Sequence, residues 1–426
     1  MTEDFLLYVW RLRQFDHTQL RTDNTSESIE ILHVGERNEQ SGPDFFNARI
    51  RIGETIWAGN VEIHVKSSDW SKHSHSQDPA YQNVILHVVY ENDLPLQRAD
   101  GSPLPVLELQ QRISPVLFKN YQQLFFAQHW IPCSKLIGEV DSFVVEHCLE
   151  RILIERLQQK IAPILALLTQ NHHSWEETLY QSLGKAFGTK VNAEPFGWLT
   201  QKTPLSVLAK HKDQLLQIEA LLFGQAGFLE GYFADDYPRL LQREYQFLRN
   251  KFQLQPILGH SWKTGGLRPP NFPTIRLAQF AALIHQSSAL FSKFIATEKV
   301  RDIDAFFDIT PSEYWTTHYV FDKAAKASSK KIGKNTIDLF IINTLVPLLF
   351  VYGQERDMPD LQDRALEWLQ QLAAEDNAII DEWRKILPLP INNAAQTQAL
   401  LHLKPRYCDA KRCLSCPIGN KIVQGR

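Results

Sequence analysis

Several things are scarce in this sequence, and each scarcity narrows what the chain can be. Five cysteines among 426 residues are too few for a disulfide framework in a chain of this length. No apolar run crosses a bilayer's thickness uninterrupted. The longest, from Ile337 to Gly353, is short for a span and holds Pro347, so it reads as a buried helix. The opening MTEDFLLYVWRLRQF sets acids ahead of its apolar residues and lacks an uncharged core. It reads as an amphipathic helix rather than a secretory signal, and the expected location is the cytoplasm, with no membrane partner. Neither sign of charge dominates: a net charge of −3 excludes a polycation, so any surface for nucleic acid must be a local patch. Internal repeats and low-complexity tracts are missing too. What is present, 44% hydrophobic and 22% charged residues, is a globular composition with length for two or three domains.

Periodicity divides the chain. Residues 1–112 alternate helix and strand signals: a helix over about Asp4 to Leu20, a strand from Ser28 to Val34, then a hairpin with arms NARIRI and TIWAGNVEIHV turning near Gly53-Glu54. NVILHVV, Asn83 to Val89, reads as a central strand buried on both faces, with His87 as a core histidine. From 113 to 400 apolar residues recur at helical spacing, as in SFVVEHCLERILIERLQQKIAPILALL, and a helical domain is expected. Cys148 falls on that helix as a buried apolar residue. Residues 401–426 form a cysteine-rich tail. The fold class expected is α/β followed by all-α.

The most informative stretch is Ser41 to Trp70. In VEIHVK, Val61, Ile63 and Val65 alternate with Glu62, His64 and Lys66, so a strand would put three ionisable groups on one face. Burying them is costly unless they bind something. Asp44 and Glu62 offer hard oxygens of the kind Mg²⁺ or Mn²⁺ prefers, and an ion so held activates water for attack on a phosphoryl group. His64 or Lys66 is then placed to orient that water or stabilise the developing anion. An Asp opening one hairpin strand and an acid-x-Lys on the next resembles the PD-(D/E)xK nuclease superfamily. Its resemblance implies a restriction-endonuclease-like mixed sheet, with Asp44 and Glu62 as metal ligands. The match departs where that family has lysine: two residues after Glu62 stands His64, and Lys66 comes two later.

A second cluster follows in SSDWSKHSHSQDPAY: Asp69, His73, His75, Asp78 and Tyr81. The His-x-His spacing suits a metal or a phosphate. The longer wording SGPDF…ARI…W.GNVEIH…SDW..H.H..D.AY.NVILHVV, with LRPPNFPTIRLAQ and the cysteine-rich end, resembles the bacterial family catalogued as domain of unknown function 2851, over essentially the whole chain. That family implies no established activity.

Two acid-free segments hold basic residues. Gln253 to Thr297 contains Lys263, Arg268 and Arg276, with a glycine turn before a helix that would seat a phosphate; KAAKASSKKIGKNT contains Lys330 and Lys331. Both are expected to meet DNA or RNA. Cys408, Cys413 and Cys416 crowd three thiols into nine residues. A tetrahedral zinc or a 4Fe-4S cluster needs a fourth ligand, for which Cys133 is the candidate. One distant cysteine plus a C-terminal trio resembles the iron-staple nucleases, though their trio is spaced two-then-five and this one four-then-two. The expectation is a metal-dependent nuclease acting on DNA or RNA. Its rivals are a catalytically silent nucleic-acid-binding or scaffold protein, and a transition-metal hydrolase using His64, His73 and His75. Oligomeric state is not legible.

Overall fold

The computed structural model describes residues 1–38, 40–98 and 101–425. The chain divides into two compact units. The first comprises Met1–Cys148, Lys385–Leu389 and Leu403–Arg426, and the second Leu149–Arg384 and Pro390–His402. The tail thus belongs to the unit that carries the sheet.

That unit opens with helix α1 (Glu3–Arg11), capped by the Thr2 hydroxyl accepting from the Phe5 N–H; Phe5 to Trp10 are all buried. It is shorter than the periodicity suggested, because Arg13 takes a left-handed conformation just past its end. Six strands form one mixed sheet: β1 (Ile29–His33), β2 (Glu36–Arg37), β3 (Phe45–Ile52), β4 (Thr55–Lys66), β5 (Val84–Glu91) and β6 (Val106–Glu108), in the order β1-β3-β4-β5-β6 with β2 also on β3. β1, β2, β3 and β4 pair antiparallel; β5 joins β4, and β6 joins β5, in parallel. β3 and β4 turn through Gly53-Glu54, with Gly53 at φ +58°. Between β4 and β5 lie helix α2 (Asp69–Lys72) and two short 3₁₀ turns, His75–Gln77 and Pro79–Tyr81. Helix α3 (Pro115–Phe125) packs against the C-terminal helix Pro417–Gln424.

Two bulges bend the middle of this sheet. Phe45 pairs with Val61 but Ala48 with Gly59, so two residues of β3 oppose one of β4, and Asn47 takes φ +57°. On the other side Asn60 pairs with Val84 but Val61 with Leu86. Gly59 sits where the strands close in: a Cβ there would come within 2.4 Å of the Ile85 side chain and 2.6 Å of the Asn83 carbonyl. The far half of β4 is consequently buried on both faces, Val61 and Ile63 on one, Glu62 and His64 on the other.

The second unit is helical apart from a two-stranded ribbon, His318–Val320 with Lys323–Ala324. The apolar segment expected to be a buried helix is one. Lys334–Glu355 is long and apolar enough to cross a membrane, and 67% of its apolar window is buried inside the structure. It passes Pro347 by way of a π turn at Ile341–Leu345. Proline leaves the carbonyl one turn back without its helical donor; the Asn343 carbonyl instead accepts from the Lys160 ammonium at 3.4 Å.

Candidate functional site

The bulge around Asn60 aims Asp44, just ahead of β3, at Glu62 in β4. The two carboxylates interlock through backbone: the Asp44 N–H donates to Glu62 Oε2 at 3.1 Å, and the Ile63 N–H donates to Asp44 Oδ2 at 3.0 Å. Arg37 Nη1, on β2, donates to Asp44 Oδ1 at 2.7 Å. Burial raises the pKa of Asp44 even so. Glu62 is pushed up to about 9, by burial first and by the neighbouring Asp44 charge second.

Three imidazoles complete the site. His64 follows Glu62 on the same face of β4, while His73 and His75 come from the segment after α2, which folds over that face. Their ring nitrogens lie within 4.8 Å of one another. His64 Nε2 is 3.2 Å from His73 Nδ1 and 3.6 Å from Glu62 Oε1; His75 Nε2 is 3.3 Å from the same Glu62 oxygen. Desolvation lowers the pKa of His64 to about 3 and of His75 to about 4, so both rings are neutral and able to donate a lone pair. His75 Nε2 is buried with no hydrogen-bond partner. Behind them His87 Nε2 sits 2.8 Å from His64 Nδ1, wholly buried. That contact fixes the orientation of the His64 ring, with Nε2 on the side of the carboxylate. Tyr81 stacks on His75 with ring centroids 3.8 Å apart, and Trp70 donates from Nε1 to Ser76 Oγ at 3.0 Å, holding the covering turn in place.

Other residues singled out in the sequence lie outside this convergence. Lys66 ends β4 beyond the cover, its side chain 45% exposed and 3.1 Å from Glu91, its register neighbour on β5. Asp69 accepts from the Lys66 N–H and pairs with Lys72 at 2.6 Å; Asp78 caps a turn by accepting from the Ala80 N–H. His87 was expected to be a core residue, and it is fully buried, but it also carries the second ring of the imidazole pair. Neither Arg37 nor Gly59 stood out in the sequence.

The four cysteines Cys133, Cys408, Cys413 and Cys416 gather within the first unit. Burial pushes Cys133 up to about 12 and Cys413 to about 11, and raises Cys408 further. Cys133 and Cys408 each feel the charge of cysteines at the other end of the chain. Lys404 lies 4.8 Å over the Trp130 ring, so the segment before Cys133 sits against the turn leading to Cys408. Cys408 closes a π turn, Lys404–Cys408, and Cys416 stands at the start of the C-terminal helix. Gly419 packs so closely on Cys413 that a Cβ would fall 2.3 Å from its carbonyl oxygen.

The basic residues divide. Lys263 and Arg268 are exposed. Arg276 is buried, 5% exposed, and donates to Gln279 Oε1 at 3.0 Å and Asn271 Oδ1 at 2.6 Å. Lys330 is 7% exposed, its ammonium donating to Ser328 and Thr316 carbonyls and lying 4.0 Å over Tyr319. Lys331 is exposed but paired with Asp308 at 2.8 Å. Two of the five expected nucleic-acid contacts are therefore interior groups: a basic segment without acids says nothing about which way its arginine points.

No curated protein and no solved structure matches the chain. The motifs that build the acid–imidazole site, together with the helical unit up to Ala378, lie inside a single match. Residues 3–378 fit the family model described as protein of unknown function (DUF2851), and the chain belongs to that family.

Proposed function

We propose that the protein is a metal-dependent hydrolase, that its ion is held by Glu62, His64, His73 and His75, and that the bond it cleaves is a phosphodiester. The observation that carries this is the spacing of the donors. Ligands at about 2.0–2.1 Å around a tetrahedral ion stand about 3.3 Å apart. Three of the donor separations are 3.2, 3.3 and 3.6 Å, and the imidazole nitrogens all lie within 4.8 Å of one another. The orphaned His75 nitrogen is what an ion would satisfy.

The donor set does not fit Mg²⁺, which takes oxygen ligands in an octahedron. Both Asp44 oxygens are occupied by Arg37 and Ile63, and Glu62 faces imidazoles. Imidazole donors favour a first-row transition ion. Such an ion, when bound, lowers the pKa of its water and polarises a phosphoryl oxygen. The residues do the rest: Asp44 fixes Glu62 through the backbone of both strands, His87 orients the His64 ring, and Arg37 presents a cation beside the carboxylates for a phosphate oxygen. The antiparallel hairpin carrying Asp44 and Glu62, then a short helix and a parallel strand, supports the phosphodiester reading through its likeness to a PD-(D/E)xK core. Lys66, paired with Glu91, has no part in it. The test is cleavage of labelled single- and double-stranded DNA and RNA with Mn²⁺ or Zn²⁺. Glu62→Gln and His75→Ala are expected to lose at least a hundredfold in rate, while Lys66→Ala keeps most of it. Equal loss in Lys66→Ala would restore the lysine mechanism and overturn this one.

We also infer that Cys133, Cys408, Cys413 and Cys416 hold a second, structural metal, zinc or an iron–sulfur cluster. Four thiols, from segments 275 residues apart, lie in one unit, Cys133 and Cys416 buried and Cys408 and Cys413 half-buried; thiolates stabilised by a metal remove the cost of that crowding.

A further inference from the structure

A cleft of about 450 Å³ opens in the first unit, with room for a nucleotide-sized ligand. Its walls carry four cations from three separate segments: Arg11 at the end of α1, Arg37 on β2, and Lys411 and Arg412 in the cysteine turn. Asp4 is the one acid among the lining residues. No carboxylate pairs with Arg11, Lys411 or Arg412 among the described residues. Lys411 spends one proton on the Phe125 carbonyl, at 2.9 Å, and Arg412 lies 5.4 Å over the Tyr407 ring. Cations left without counterions around a concave surface focus a positive potential in it.

Two further features say which anion. Phe125 lines the cleft, and Phe126 stands beside it with ring centroids 5.2 Å apart; they are 36% and 66% exposed, an aromatic pair left facing water at the end of α3. Exposed rings beside basic side chains make a stacking platform for unpaired bases. Arg37 joins the cleft to the acid–imidazole site, because it lines the one and donates to Asp44 in the other. Asp4, on the cleft wall, is close enough for its charge to act on Asp44.

We propose that this cleft seats the backbone of single-stranded nucleic acid, with phosphates against Arg11, Arg37, Lys411 and Arg412 and a base on Phe125, and leads it to Glu62 and the imidazoles. The inference rests on the phosphodiester reading and names its substrate class. Binding is measured in the full chain carrying Glu62→Gln, so that no strand is cut, by fluorescence anisotropy with labelled dT12 and rU12 across a salt series. At least one oligonucleotide binds, and the tighter one identifies DNA or RNA. Adding Arg11→Ala with Arg412→Ala weakens it tenfold or more and lowers the slope of log K against log salt by about 1.4, since each single-strand phosphate contact accounts for about 0.7. Phe125→Ala weakens it at least fivefold with the slope unchanged. Unchanged affinity in both variants, equal affinity for a blunt duplex, or no binding of either oligonucleotide would overturn the cleft. A wild type that binds but cuts nothing leaves the cleft standing and removes the hydrolase; cutting that survives Arg11→Ala with Arg412→Ala in a chain that keeps Glu62 does the reverse.

Discussion

Metal uptake at the acid–imidazole site should depend on pH in a way that ordinary histidine sites do not. A carboxylate or imidazole of usual pKa is already deprotonated above pH 7, so binding there releases no proton and affinity is flat. Here Glu62 stands at about 9, and must give up its proton to become a ligand. His64 and His75, at about 3 and 4, have none to give in that range. The Kd should therefore fall nearly tenfold per pH unit from 7 upward and level off past 9, about fiftyfold over the two units, equivalent to about 2.3 kcal/mol. Stability of the metal-free protein runs the opposite way to metal affinity. Raised above its unfolded value, the Glu62 pKa contributes stability that is fully present below the unfolded value and lost as pH rises through about 9. The metal-free protein thus weakens toward alkaline pH, while the thermal gain from added metal grows. Mn²⁺ is the probe, because it prefers carboxylate to thiolate and so avoids the cysteines; the free ion is followed by electron paramagnetic resonance at pH 7, 8 and 9. Glu62→Gln should bind more weakly and without slope. A wild-type Kd that does not move between pH 7 and 9, or a slope that persists in Glu62→Gln, would refute the assignment of Glu62 as the protonated ligand.

Two other outcomes follow from the placement of side chains. Freshly isolated protein should carry either about one zinc per chain or iron with a visible chromophore; Cys133→Ser and Cys408→Ser should each lose it and melt earlier, and Cys148→Ser should keep it. Finding neither zinc nor iron would remove the cysteine centre. Arg276→Ala should cost about 1–3 kcal/mol, read by urea unfolding, because it strands Gln279 Oε1 in the interior and leaves the half-buried Asn271 without its partner, yet leave oligonucleotide affinity unchanged. A weakened affinity with unchanged stability would return Arg276 to the surface role that its acid-free surroundings suggest.

What the sequence could convey was local. The period-two alternation of Val61 to Lys66 marks a strand with ionisable groups on one face, and the hairpin turn at Gly53-Glu54 is where it was expected. His73 and His75 were readable as a candidate ligand pair because His-x-His survives any fold that brings their loop onto the strand. Alternation does not say where burial stops, however. Glu62 and His64 lie under the segment that runs from Trp70 to Tyr81, while Lys66, two residues on, emerges past its edge and meets Glu91. His87 sits in an apolar strand, where a histidine and a valine look equally interior. Only the parallel register, which sets His87 beside Glu62, gives its ring a partner in His64.

The misplaced residues share a cause. An acid-free stretch reads as basic whether its cations face water or not, and the helix Pro273–Gln286 is buried nearly all round, so Arg276 goes inside with polar partners recruited from its own turn and the one before. The cleft is the converse case. Arg11, Arg37 and the Lys411-Arg412 pair are single charges scattered over 400 residues, each unremarked by its neighbours in sequence. They become one site because the tail folds back onto the unit that holds α1 and β2, with the Lys411 ammonium bonded to the Phe125 carbonyl and Asn120 reaching the carbonyls of Ile422 and Val423. Of those fastenings, Lys411 lies between Cys408 and Cys413, and Ile422 and Val423 follow Cys416. A metal there would therefore fix the wall that carries two of the four cations, so loss of the cysteine metal should weaken oligonucleotide binding even though no cysteine need touch the strand.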